Sequence, residues 1–460
     1  MTNQSKSWKA PPPIIFILLG LIIFGGTKLL KKNPQQISNL LPSIAQPQLL
    51  KTSFSLGEDL LITANATNEK QEGINAFANQ DYQDAIALFQ ASLEQFPNDP
   101  ETLIYLNNAQ VATLNPVKIA VVAPIGSDLN LAQEMLRGVA QAQDKFNSQG
   151  GNLQVQIVND ENKPEIATKV ANELVKDPSI LALVGHYSSD ATLAAAPVYE
   201  QNALVAISPI STAVSLAEAG DYIFRTVPSD LFAGTSLAEY FLEKLSMQKA
   251  AVFYNSESNY SKSLKDAFST SLLSNGGEIV AESDVINSNF NADNAVQQAI
   301  DQGAEALILL TNSTTLKQTF EIAKVNERQL PLLAGDDIYI PETLENAGED
   351  VTDMVLAVPW HIEGNTNPDF IQAANSLWKG KVNWRTAMAY DATQSLIAGI
   401  KANPSRQGIQ QTLSQAGFSV TGASGVVKFL PSGDRNQAVQ LVQVEVDPNS
   451  EFGYSFVPVD

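Results

Sequence analysis

ILALVGHYSSDATLAAAPVYEQNALVAISP, residues 180–209, decides the fold. Ile180–Val184 is an unbroken apolar run of strand length, and such runs belong to strands covered on both faces, as in parallel sheets. Gly185 closes the run, residues 191–202 read as a helix, and ALVAISP (203–209) reads as a second buried strand. Strand, helix and strand in that order make a parallel β–α–β unit. Between the first strand and the helix lies HYSSDAT (186–192), which places hydroxyls where the helix starts. A helix N-terminus carries unpaired N–H groups and the positive end of the dipole, so this loop is shaped for a small anion.

Outward from that unit the alternation continues. VKIAVVAPI (117–125) is a buried strand, residues 130–149 form an amphipathic helix that ends on Gly150–Gly151, and LQVQIVND (153–160) and residues 164–177 repeat the pair. The pattern restarts with KAAVFYN (249–255) and runs through EIVAESDV (278–285), AEALILL (304–310) and PLLAG (331–335), with helices between. Two such runs predict an α/β protein of two doubly wound parallel sheets, forming two lobes across a cleft. Ligands of such sheets sit beyond the carboxyl ends of the strands.

The remaining N-terminal quarter divides into three parts. Residues 1–32 contain an apolar run from Ile14 to Gly26, extended to Pro11–Leu30 by tolerated prolines and two leucines. That approaches the roughly 20 residues of a membrane span, and no convincing small-x-small cleavage motif follows, so one N-terminal transmembrane helix, an uncleaved signal anchor, is expected. Residues 33–65 are rich in Pro, Gln and Ser and read as a linker. Residues 66–114 have helical spacing, with Gly73, Ala85, Phe89, Ser92 and Pro97 at the offsets of a 34-residue tetratricopeptide repeat. They predict a small all-α helical-repeat segment of about one and a half repeats, offering a surface for a protein partner.

Composition narrows the function. The net charge of −21 argues against nucleic acid, whose phosphates need a basic face. The chain has no cysteine and only two histidines, His186 and His361, so thiol chemistry, a lipid-modified cysteine and a histidine-rich metal site drop out; no cofactor or metal is expected. There is neither a Walker-type phosphate loop nor a dinucleotide glycine fingerprint. His186 lies three residues from Ser189, but a nucleophile needs a base in hydrogen-bond geometry and a third orienting group, so no enzyme is expected.

Residues 117–455 resemble the type I periplasmic binding proteins, in particular the branched-chain and polar amino-acid receptors of ABC importers. The resemblance is carried by VKIAVVAPI with RGVAQAQDKFNSQGG, by VGHYSSDATLAAAPVYEQNALVAISPISTA, DYIFRTVPSD and AAVFYNSESNYSKSL, and by FSVTGASGVVKFLPSGDRNQAVQLVQV near the end. It implies a two-lobed venus-flytrap over residues 115–460. Lobe 1 would cover about 117–230 and 360–416, and lobe 2 about 231–359 and 417–455. It also implies an extracytoplasmic body, here tethered to a bacterial inner membrane and facing the periplasm, with an ABC permease as partner.

An amino-acid zwitterion needs hydroxyl and N–H donors for its carboxylate and an acidic or carbonyl acceptor for its ammonium. Ser188 and Ser189, at the helix start, fit the first need. The resemblance assigns the carboxylate to the Ser189 hydroxyl. It assigns both ends of the ligand backbone to Ile210, Ser211 and Thr212 of the SPIST loop, through the Ile210 carbonyl and the Thr212 hydroxyl and N–H. It makes Tyr260 close over the ligand and gives the ammonium to Asp337, with Asp336 one position away as the alternative. Tyr187, Trp360 and Tyr390 are cleft, hinge or core aromatics, while Arg225 and Asp230 match structural positions near a lobe crossing. Leu131 stands where relatives often place an aromatic, and TNSTT (311–315) is likewise without one, so the pocket wall is smaller or more polar than a leucine receptor's.

Three functions fit. One is a tethered solute-binding protein delivering an amino acid or similar zwitterion to an ABC importer. Another is a sensor of the same fold that signals through the helical segment. The third is a non-binding envelope scaffold that activates peptidoglycan synthesis, against which the missing lipidation cysteine and the presence of Ser189, Thr212 and Asp337 both count.

Overall fold

The computed structural model describes residues 53–364 and 367–459. The expected anchor and most of the expected linker lie outside these residues. Among the described residues no helix is long and apolar enough to cross a membrane.

The described chain begins with a short strand, β1 (Phe54–Ser55), and three helices: α1 (Asn68–Ala78), α2 (Tyr82–Gln95) and α3 (Pro100–Val111). Each helix starts on a side-chain cap, Thr67, Asp81 and Asp99 respectively, which fixes its boundary. Helix α3 is buried around nearly its whole circumference because it lies between the first two helices and the larger α/β body. The stretch 54–62, expected as linker, is instead built into the fold. β1 pairs antiparallel with the edge of the first sheet, Phe54 opposite Val158, and Ile62 is buried. The Glu101 carboxylate accepts the N–H groups of Leu61 at 2.8 Å and Ile62 at 3.2 Å. Lys70, fully buried, lies 2.7 Å from both Asp99 and Glu101. Lys70 thereby holds the Glu101 carboxylate that takes the N–H groups of this stretch.

The first sheet comprises β2 (Val117–Ala123), β3 (Leu153–Asn159), β4 (Ile180–Val184), β5 (Val205–Ser208) and β6 (Ile223–Arg225), in the order β1-β3-β2-β4-β5-β6. Strands β2 to β6 are parallel, with α4 (Leu129–Ser148), α5 (Pro164–Leu174) and α6 (Ser189–Gln201) as crossovers. The helical module is stitched to this sheet. The Asn108 Nδ2 donates to the Val155 carbonyl at 2.8 Å, and the Val155 N–H returns a 2.8 Å bond to Asn108 Oδ1.

The second lobe carries α7 (Asp230–Glu239), β7 (Lys249–Tyr254), α8 (Asn259–Ser274), β8 (Glu278–Asp284), α9 (Ala292–Asp301), β9 (Ala306–Leu310), α10 (Leu316–Asn326), β10 (Leu332–Ala334), α11 (Pro341–Asn346) and β11 (Val355–Val358). The chain then forms α12 (Pro368–Trp378), α13 (Trp384–Ala402), α14 (Arg406–Leu413) and the hairpin β12–β13 (Val420–Gly422, Gly425–Val427), which pack on the first lobe. Gly138 allows α4 to lie directly on α13, since a Cβ there would collide with the Thr386 carbonyl. Strands β14 (Gln440–Val446) and β15 (Tyr454–Pro458) complete the second sheet, ordered β15-β14-β11-β10-β9-β7-β8.

Two differences from the sequence reading follow. The sheets are mixed rather than purely parallel: β1 on the first sheet, and β14 and β15 on the second, run antiparallel to their neighbours. Strands β14 and β15 are joined by a short turn rather than a helix, which only an antiparallel pair permits. The return to the second sheet also comes at Gln440, later than the expected Gly417. The intervening Gly-Asp-Arg segment is fastened to the first lobe, Arg435 to Asp391 at 2.8 Å and Asp434 to Arg225 at 2.6 Å.

Candidate functional site

The carboxyl ends of β3, β4, β5, β7, β9 and β10 converge on a cavity of about 300 Å³ between the lobes. Six of the eight residues singled out in the sequence line it: Ser188, Ser189, Ile210, Tyr260, Asp336 and Asp337. Ser211 and Thr212 are not among the lining residues. The Ser211 hydroxyl is taken up with Thr192 Oγ1 at 2.7 Å and the Tyr187 carbonyl at 3.1 Å. Thr212 is buried, its carbonyl accepting from Arg225 and its hydroxyl set beside Asp230.

On the first lobe, Ser188 is the N-cap of α6, accepting from the Ala191 N–H at 3.2 Å. Ser189, the first helical residue, is buried and accepts from the Ala213 N–H at 3.2 Å, which leaves its hydroxyl proton free to donate. The first-turn N–H groups of a helix have no partner within it. This end of the cavity therefore offers donors and a positive dipole to an anion. His186 takes no part. Its ring nitrogens meet Asp160 at 2.6 Å and Tyr199 at 2.8 Å, a buried cluster behind the loop.

On the second lobe, Tyr260 donates to Asp336 Oδ1 at 2.7 Å and accepts from the Asp337 N–H at 3.3 Å. Gly335 makes this approach possible, because a Cβ at that position would overlap the Tyr260 hydroxyl. Asp336 Oδ2 has no hydrogen-bond partner among the described residues. Burial, reinforced by the neighbouring Asp337 charge, pushes the Asp336 carboxyl up to about 7. Burial likewise lifts Asp230 to about 6.

Asp337 is already engaged. Its Oδ2 accepts from the Ser313 N–H at 2.7 Å, and its Oδ1 from the Tyr187 hydroxyl at 3.0 Å and Arg385 at 3.3 Å. Tyr187 and Arg385 belong to the first lobe, so these bonds tie the lobes together, as do those from Asn259 to Asp190, the shortest at 2.7 Å. Sequence reasoning missed Arg385. The available signal was a lone arginine in the long, otherwise mostly uncharged helix α13, since a charge buried in such a helix requires a partner.

A family model described as "Periplasmic binding protein" matches residues 116–450. An amino acid binding protein of Pseudomonas aeruginosa is 31% identical over 160 residues, covering 34% of this chain and 42% of that protein. The Leu/Ile/Val-binding protein of Escherichia coli K12 is 24% identical over 307 residues, 65% of this chain and 82% of the relative. Among solved structures, a leucine binding protein from Thermotoga maritima is similar with a TM-score of 0.66 at 21% identity, covering 74% of this chain and 97% of that one. This last likeness is one of fold.

Proposed function

The chain belongs to the periplasmic binding protein family, and from that footing we propose that it captures a free amino acid between its lobes for delivery to an ABC permease. The observation that carries this is the pairing of unlike ends in one cavity. The α6 N-terminus with Ser189 supplies donors from one lobe, and the Tyr260–Asp336 pair supplies an acidic acceptor from the other. A zwitterion about the size of an amino acid satisfies both at once.

In this reading the ligand carboxylate rests on the first turn of α6, with the Ser189 hydroxyl donating to it. The ammonium goes to Asp336, whose Oδ2 is unengaged, while Asp337 acts with Tyr187 and Arg385 as the tie between lobes. An ammonium beside Asp336 favours its ionised form, so binding releases a proton wherever that carboxyl was protonated. Closure of the lobes is a hinge motion of the kind that traps ligands in two-lobed receptors. The names of the relatives, amino-acid and Leu/Ile/Val binders, agree with this ligand class. Residues 1–32 would anchor the body to the membrane on its periplasmic side, and residues 66–114 would form the tetratricopeptide-like unit.

The test is a thermal-shift screen of the full-length chain against the free amino acids. A ligand at about 100 times its Kd should add roughly 2.7 kcal/mol to the stability of the chain. A screen in which no amino acid moves the melting temperature would overturn the proposal.

A further inference from the structure

Beyond the two ends of the ligand, the cavity wall is built from polar loops. Asn255 and Glu257 follow β7, Asn312 and Thr314 follow β9, and Asn162 follows β3. The Asn255 Nδ2 donates to Asn312 Oδ1 at 3.0 Å, and the Thr314 and Thr315 hydroxyls donate to the same oxygen. That oxygen is therefore saturated, and Asn312 keeps its Nδ2 unengaged. Asn162 Oδ1 is buried with no hydrogen-bond partner. Glu257 is exposed at the mouth; its N–H bonds Asn255 Oδ1 at 2.9 Å and its carboxylate is unengaged.

The charge pattern is one-sided. Asp190, Glu257, Asp336 and Asp337 line the cavity, and among the described residues no lysine or arginine does. Asp190 is occupied by Asn259 and Asp337 by its three donors. With Asp336 assigned to the ammonium, the Glu257 carboxylate remains as an acceptor and Asn312 Nδ2 as a donor for whatever side chain the ligand carries.

We infer that the ligand's side chain is a hydrogen-bond donor, an amide, hydroxyl or cation, rather than an aliphatic or acidic group. This rests on the amino-acid reading above. An aliphatic side chain would cover the Asn312 N–H and the Glu257 carboxylate without partners, whereas an amide or hydroxyl can donate to Glu257 and accept from Asn312; an acidic one would face Glu257 with no cation to balance it. A site built to hydrogen-bond a substrate group rejects the analogue that lacks it far more strongly than an apolar pocket separates methylenes.

Calorimetric titration of the full-length chain with glutamine, threonine, lysine, leucine and glutamate tests the inference. The tightest of the first three should bind at least about tenfold better than leucine and glutamate. Asn312→Leu should narrow the glutamine-to-leucine ratio. Glu257→Gln, at an exposed position that does not threaten folding, should shrink the lysine-to-glutamate ratio. Leucine or glutamate binding as tightly as the donors, or ratios unchanged in a folded variant, would overturn the inference while leaving amino-acid capture intact. Failure of every amino acid to bind would overturn both.

Discussion

Replacing Asp336 by asparagine should change how stability depends on pH, in a direction the structure sets. Asp336 is buried and its carboxyl is pushed up to about 7, against about 3.9 for an unfolded aspartate. Between those values the folded chain holds a proton that the unfolded chain has released. Stability from this group is therefore fully present below about pH 4, falls as pH rises, and is lost above about pH 7. From pH 5 to pH 8 the loss is on the order of 3 kcal/mol. Asp336→Asn preserves an acceptor for the Tyr260 hydroxyl and cannot ionise. Denaturant unfolding at pH 5 and pH 8 would measure the effect. The difference between the two profiles reports Asp336 together with its coupling to the neighbouring Asp230 charge. The variant should gain on the parent by about 3 kcal/mol at pH 8 relative to pH 5. Parallel profiles would refute the assignment of a buried, mostly neutral carboxyl to this position.

The same carboxyl predicts that affinity for an amino acid strengthens about tenfold per pH unit up to about pH 7 and levels off above, flattening in Asp336→Asn; titrations from pH 5 to pH 8 check this. Glu101→Ala leaves Lys70 buried with one partner fewer and removes the acceptor that holds Leu61 and Ile62, so it should cost about 3–5 kcal/mol in urea unfolding; a loss below about 1 kcal/mol would show that residues 54–62 are not held as described. Gly335→Ala should weaken ligand binding by at least about tenfold through displacement of Tyr260, with a smaller effect on stability, read by calorimetry and unfolding together. Tyr187→Phe deletes a bond between lobes and should disfavour the closed form by about 0.5–1.5 kcal/mol, visible as a larger radius of gyration in small-angle scattering.

Much of this was legible in the sequence because the α/β body is locally consistent. Unbroken apolar runs such as Ile180–Val184 and Ala306–Leu310 read as strands covered on both faces; the first is followed by a helix capped by Ser188, the second by a short helical turn capped by Asn312. The hydroxyl loop at Ser188–Ser189 was readable for the same reason: its chemistry is written in adjacent residues. What escaped depended on distant partners. Residues 54–62 look like linker until Glu101, some forty positions away and itself held by Lys70, is seen to take the N–H groups of Leu61 and Ile62. Asp337 reads as an open carboxylate until Arg385 and Tyr187 arrive from the other lobe. Strands β14 and β15 alternate weakly and gave no hint that they would extend the second sheet antiparallel.

The central claim is that both ends of an amino acid are held, its carboxylate on the α6 N-terminus and its ammonium on Asp336. Calorimetric titration of the full-length chain with its best amino acid, that amino acid's primary amide and its N-acetyl derivative tests it directly. The free amino acid should bind, and each derivative should lose at least about 2 kcal/mol, because each leaves one end of the site buried without its partner. Equal affinity for all three would contradict the account.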